Sequence, residues 1–183
     1  MTAVLCIDPG YSKRGEGCAC ALAVGGTVQS VWYERSSTAV RLKLPALDAV
    51  VVEKPQQDKR SRGIPPEVLI ELTWEGCAVG ARYAGMHDCR LLGATPSRWK
   101  GSTPKPVQHY HVWQALSESE RAMLGGYDAR IEIEKACERG ALDRWSKPGV
   151  SYYPRGFTLH NLLDAVCMCI AQAGRRMKSG VWV

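Results

Sequence analysis

The sequence predicts an α/β fold: a mixed five-stranded sheet, three antiparallel strands and then parallel ones, flanked by helices. Three observations carry that prediction. The first third of the chain is built of short apolar runs rich in β-branched residues, separated by Gly-containing polar turns, which is the pattern of strands. From residue 67 onward apolar residues recur mainly at helical spacing. One more short apolar run, residues 89–94, interrupts the helical part and places a fifth strand after a helix.

Each element has its own reason. Residues 3–8 (AVLCID) are apolar and stop at Pro9-Gly10, as a buried strand does. Residues 11–17 (YSKRGEG) are polar and make a turn. Residues 18–24 (CACALAV) and 28–34 (VQSVWYE) flank Gly25-Gly26 and read as a β-hairpin. Residues 36–46 connect to a fourth run, 47–53 (LDAVVVE), which ends in Glu53-Lys54-Pro55. Residues 56–66 are basic, broken by Gly63 and Pro65-Pro66, and read as a loop. Residues 67–84 have helical spacing, with Val68, Leu69, Leu72, Ala78 and Val79 near one face.

After the strand at 89–94, residues 95–105 (TPSRWKGSTPK) read as a basic loop. Pro106 suits the first turn of a helix that runs to about Leu116. Ser117 with Glu120 forms a capping-box pattern. A further helix covers 128–140 and ends at Gly140, and residues 143–156 read as a loop. Thr158 can cap a last helix that runs to about Gly174, where Arg175, Arg176 and Lys178 suit the negative end of its dipole.

The 183 residues suit one domain over 1–183, with 45% apolar composition, enough for a core of its own. The net charge of +6 favours a polyanionic partner over an acidic protein, although mere solubility also accounts for it. No signal peptide and no membrane-length apolar stretch is visible, so the expected location is the cytoplasm. The eight cysteines include the one-residue pairs Cys18/Cys20 and Cys167/Cys169, too close for a C-x2-C zinc site. Most lie in apolar runs and read as core filler.

Three carboxylates stand in unusual places. Asp8 and Glu53 each end an apolar strand before a Pro, or one residue before it. Asp164 sits within the apolar stretch Leu162–Cys167 of the last helix. Each has an ordinary reading as a turn, surface or helix-face acid. A charge on an apolar surface is nevertheless costly unless it is paired or binds a cation, and three in one small domain point to convergence. Hard divalent ions such as Mg2+ or Mn2+ relieve the repulsion of converging carboxylates. Two such ions about 3.5–4 Å apart suit phosphodiester hydrolysis. His160 and Asn161 precede Asp164 by four and three residues, so either reaches its helix face as a fourth ligand or water-orienting group. His160 is the better base, and either residue can instead help cap the helix start.

These features resemble the RuvC-type Holliday junction resolvases of the RNase H-like (retroviral integrase) nuclease superfamily. The resemblance lies in Ile7-Asp8-Pro9-Gly10, in Val51-Val52-Glu53-Lys54-Pro55-Gln56 and in His160-Asn161-Leu162-Leu163-Asp164-Ala165. Between them, Trp99-Lys100-Gly101 and Pro104-Lys105 look like the family's basic segment after strand five. The ordered set covers nearly the whole chain. It implies an RNase H-like fold and a homodimer that nicks two opposing strands of a four-way DNA junction, using two Mg2+ or Mn2+ ions per site. It further implies Asp8, Glu53 and Asp164 as metal ligands, His160 or Asn161 as the fourth group, and Lys100 or Lys105 near the scissile phosphate. The chain departs from the family in Asn161, where an acid or His is usual, and in an expected insertion at 126–156. That suggests a divergent phage- or organelle-like branch, in an infected bacterial cell or an organelle.

The basic loops supply the expected DNA contacts. Lys54, Gln56, Lys59, Arg60 and Arg62 follow one strand, and Arg98, Trp99, Lys100 and Lys105 follow the next, with Trp99 placed to stack on an unpaired base or to sit in the core. Other readings are a nuclease of the same fold cutting RNA–DNA hybrids or other branched DNA, and a non-catalytic nucleic-acid-binding module. A phosphate-binding fold of the actin and sugar-kinase type needs far more chain.

Overall fold

Strand β1 (Ala3–Asp8) is fixed at its start by Asp48: Ala3 N–H donates to Asp48 Oδ2 at 2.6 Å, and Asp48 N–H returns to Ala3 O at 2.9 Å. The structure, a computed structural model, describes residues 1–10, 17–37, 43–55, 65–99, 103–142, 153 and 159–175. β2 (Cys18–Val24) and β3 (Thr27–Glu34) form the expected hairpin. Gly25 and Gly26 have φ of 59° and 83°, values that residues with a side chain rarely adopt at two successive positions. β4 (Ala49–Glu53) lies parallel to β1, and β5 (Arg90–Ala94) lies parallel to β4. The sheet order is β3-β2-β1-β4-β5, with the first three strands antiparallel. This is the mixed five-stranded sheet that the sequence predicts.

Side-chain alternation gives the sheet two apolar faces. Leu5, Ile7, Cys20, Leu22, Val50 and Val52 face α1 (Pro66–His87). Cys6, Ala19, Ala21, Val51 and Ala94 face α6 (Leu159–Gln172) and its neighbours. The α6 face of β2 is all alanine, so the helix lies close, and Cys169 Sγ donates to Ala21 O at 3.1 Å. Cys6, Cys18, Cys20, Cys167 and Cys169 are buried and every cysteine is free. No described helix is long and apolar enough to cross a membrane.

The helices differ from expectation in instructive ways. α1 buries Gly76, Val79, Gly80, Tyr83 and Ala84, while Ala78 is exposed. The buried stripe follows glycines, which carry no apolar signal in sequence. α1 ends at Asp88, whose left-handed φ of 47° Asp tolerates better than most residues. The expected basic loop after β5 instead begins with a single turn, α2 (Pro96–Trp99). Lys105 is not in a loop: it is the first residue of α3 (Lys105–Ala115), started by Pro104 and Pro106. The Ser117–Glu120 capping box opens α4 (Glu118–Met123). The Glu120 carboxylate reaches further, accepting from Val28 N–H at 2.8 Å and from Arg175. Arg175 therefore does not serve the α6 dipole alone. It bonds Glu120 and the carbonyls of Gly26 and Ala115, tying the α6 C-terminus to the β2–β3 turn. α5 (Gly126–Leu142) opens the expected insertion at 126–156 and buries Ala129, Ile133 and Ala136.

Candidate active site at the ends of β1 and β4

Parallel pairing of Ile7 with Val52 leaves Asp8 and Glu53 as the next residues on adjacent strands, about 4.8 Å apart in the pairing direction. Cys6 and Val51, two residues earlier, face α6, so alternation turns Asp8 and Glu53 toward α6 as well. Pro9 has no N–H to extend the ladder, and Gly10 N–H folds back to Asp8 O at 2.8 Å, so the chain leaves the sheet directly after the carboxylate. Asp8 is 7% and Asp164 4% exposed, and Glu53 is half-buried.

α6 brings Asp164 and Asn161 to this corner. Asn161 is buried against Gly10: a β-carbon on Gly10 would stand 2.4 Å from its Nδ2. His160 is half-buried and turns toward Tyr153, with the rings stacked at 6.0 Å between centroids and 16° between planes.

α3 closes the site. Lys105 Nζ makes an ion pair with Asp164 Oδ2. Burial works against the ammonium charge, but Asp164, Asp8 and Glu53 together outweigh it and raise the Lys105 pKa above its ordinary value. One cation thus feels all three carboxylates. One helical turn on, His109 is fully buried, with Nε2 2.9 Å from Asp164 Oδ1 and Nδ1 2.6 Å from the Tyr153 hydroxyl. Burial lowers the His109 pKa, and the Asp164 carboxylate opposes that without reversing it. Burial, and then Asp164, raise the Tyr153 pKa, so its hydroxyl keeps its proton.

Carboxylate oxygens with an amide oxygen beside them form a donor set of hard ligands, the kind that Mg2+ and Mn2+ select. Among the described residues no three His, Cys, Asp or Glu side chains stand close enough together to hold an ion as placed. Both Asp164 oxygens are engaged, one by Lys105 and one by His109. The residues fit a divalent ion in chemistry, and closing on one requires Lys105 to yield its place on Asp164.

The chain is similar in structure to a RuvC. The solved structure is T. thermophilus RuvC in complex with Holliday junction substrate, matched over 94% of this chain and 93% of that one, with a TM-score of 0.44 and 16% sequence identity. No family model and no curated protein matches the sequence.

Of the expected DNA contacts, Lys54 and Arg98 are exposed, and the Lys54 side chain lies over Gly93 of the edge strand. Trp99 is corrected: it is 1% exposed and packed in the core with Val112, Trp113 and Leu163, so it has no face for a base. The α2 turn, begun by Pro96, rotates it inward. Gln56, Lys59, Arg60, Arg62 and Lys100 lie outside the described residues. Sequence reasoning missed His109 and Tyr153. The one available signal was that His109 follows Lys105 by four residues and so shares its helix face.

Proposed function

We propose that this chain is a divalent-metal-dependent endonuclease of RNase H-like fold that cuts branched DNA, a four-way (Holliday) junction first among substrates. The carrying observation is that Asp8 and Glu53 end adjacent parallel strands on the sheet face covered by α6, the helix that carries Asp164. Asp8, Glu53 and Asp164 would hold the ions, with the Asn161 side-chain oxygen as the fourth ligand. Asn161 is preferred over His160 because it lies against the turn that follows Asp8, whereas His160 packs on Tyr153. Mg2+ or Mn2+, when bound, supplies a polarised water and neutralises charge on the leaving oxygen.

The chain's own residues set the geometry. The Pro9-Gly10 turn clears the backbone from the carboxylates, leaving room for a phosphate. Lys105, half-exposed at the mouth, exchanges Asp164 for the scissile phosphate and stabilises its charge there. Lys54 and Arg98 flank the site and grip backbone phosphates, and the basic 56–62 segment and Lys100 extend that grip. Paired nicks in opposing strands require two copies, so the active species is a homodimer.

The test compares Mg2+-dependent cleavage of four-way junction, fork, flap, linear duplex and RNA–DNA hybrid by the wild-type and Asp8→Asn proteins. Paired symmetric nicks confined to the junction, lost in Asp8→Asn with junction binding retained, support the reading. Preferred cutting of hybrid or linear duplex sinks the junction assignment. Undiminished cleavage by Asp8→Asn sinks the metal site.

A further inference from the structure

We propose that His109 and Tyr153 are positioning residues: Tyr153 O–H donates to His109 Nδ1, which fixes the ring as the Nε2–H tautomer, and Nε2–H holds Asp164 with its second oxygen turned to the mouth of the site. The inference deepens the metal-site reading and rests on it for the purpose it gives Asp164.

With the ring neutral, the hydrogen-bond inventory allows one consistent assignment. Asp164, ion-paired to Lys105, can only accept, so the proton between it and His109 sits on Nε2. A neutral imidazole then has Nδ1 as its acceptor, and the Tyr153 hydroxyl, 2.6 Å away, is the donor that fills it. A fully buried ring favours neutrality. A histidine that merely satisfies a core needs a donor and an acceptor as partners, and neither has to be a buried carboxylate. Here both ring nitrogens are used, and one partner is a candidate ligand whose other oxygen faces the proposed phosphate site.

Tyr153 is itself held. Its ring packs against those of His109, at 5.7 Å, and His160, at 6.0 Å. The chain Tyr153–His109–Asp164 therefore couples α3 to the first turns of α6. It sets the rotamer of Asp164 from behind, as hydrogen-bonded partners behind metal ligands do.

The experiment uses the full chain as wild type, His109→Gln, His109→Leu and Tyr153→Phe. In metal-free protein, imidazole nitrogen NMR reads the tautomer directly. His109 should show a protonated Nε2 and an accepting Nδ1 at neutral pH, and Tyr153→Phe should shift the Nδ1 resonance. A protonated Nδ1, or an imidazolium, overturns the proposal. Mn2+ binding, followed by the electron paramagnetic resonance signal of the free ion, is the second readout. His109→Leu should weaken binding about tenfold or more, and His109→Gln, which keeps an N–H donor, should restore most of it. Tyr153→Phe removes one oxygen and should weaken binding by a smaller factor in a protein with unchanged fold. Binding by His109→Leu and Tyr153→Phe equal to wild type, with Asp8→Asn defective, overturns the positioning role. Mn2+ that fails to bind wild type, or binds Asp8→Asn equally, overturns the metal reading instead, and the ring-nitrogen spectra then decide the tautomer lock by themselves.

Discussion

Gly10 and Asn161 touch so closely that a β-carbon at position 10 would lie 2.4 Å from Nδ2 and 2.6 Å from Cγ of the asparagine. Gly10 follows Asp8 by two residues, and Asn161 precedes Asp164 by three, so this contact joins the two halves of the candidate site. Gly10→Ala must push the Asn161 side chain aside. The obstructing atoms belong to a side chain and not to backbone, so the fold survives with a loss of about 1 kcal/mol, or roughly 2–4 °C in melting temperature. Cleavage should fall at least tenfold. In an Asn161→Ala background the same substitution should cost nothing further, because its target is gone. Additive losses in that double-mutant cycle would show that Gly10 acts elsewhere.

In the proposed site, Lys105 and a divalent ion would compete for the same carboxylate. Removing the ammonium in Lys105→Met leaves Asp164, 4% exposed, without its ion-pair partner, which costs about 1–3 kcal/mol in metal-free protein. The variant should therefore melt lower than wild type in chelator, and gain more melting temperature than wild type on adding Mn2+. Its junction affinity should lose a salt slope of only about one phosphate. Its cleavage rate should fall by about 100-fold if Lys105 meets the scissile phosphate. An equal Mn2+ response in the two proteins would separate Lys105 from the ion site.

The unusual placement of Asp8, Glu53 and Asp164 is legible in the sequence, and the reason is chemical. Asp8 and Glu53 announce themselves because a charge ends an apolar run just ahead of a proline. Asp164 does so because it interrupts an apolar helix. His109 gave no such notice. Its helix, KPVQHYHVWQA, mixes buried Gln108 and His109 with apolar residues, and His109 differs from His111 chiefly in its partners Tyr153 and Asp164, 44 and 55 residues away. Glu120 was legible as a local cap, whereas its bonds to Val28 and Arg175 depend on the β2–β3 turn and the end of α6 meeting in space. Trp99 misled through its neighbours: Arg98 and Lys100 suggested a solvated loop, and a single proline-initiated turn reversed the side chain's direction.

The approach of α1 to the sheet rests on glycine, and two substitutions of identical chemistry should separate its causes. At Gly80 a β-carbon would lie 2.6 Å from Val52 Cγ2 and 3.0 Å from Leu91 Cδ1. At Gly85, exposed on the same helix, it would meet nothing within 4 Å. Replacing a helical Gly by Ala gains about 0.5–1 kcal/mol from backbone entropy. Gly85→Ala should therefore stabilise the protein by about that much in urea titration. Gly80→Ala has the same gain, but overpacking against β4 costs about 1–3 kcal/mol and should win. Since β4 carries Glu53, Gly80→Ala should also reduce cleavage. A stabilised Gly80→Ala protein would mean that the helix–sheet spacing is not set by that contact.

Glu120 predicts how the fold responds to acid. Burial pushes its carboxyl up, but Arg175 and the Ser117 and Val28 N–H groups outweigh burial and hold the pKa at about 2, below the ordinary 4.5. A folded-state pKa below the unfolded one stabilises the protein above the unfolded value, and that contribution is lost as pH falls toward the folded value. The window is therefore roughly pH 4.5 down to 2. Above it the clamp contributes on the order of 2 kcal/mol, a figure reduced for solvent around the partly exposed Arg175. Glu120→Gln should be less stable than wild type at pH 6, and the gap should narrow steadily between pH 4.5 and pH 3. Reading the difference between the two proteins cancels the other titrating acids. A gap that stays constant to pH 3, in denaturant titrations monitored by circular dichroism, would show that Glu120 acts through packing and not through its charge.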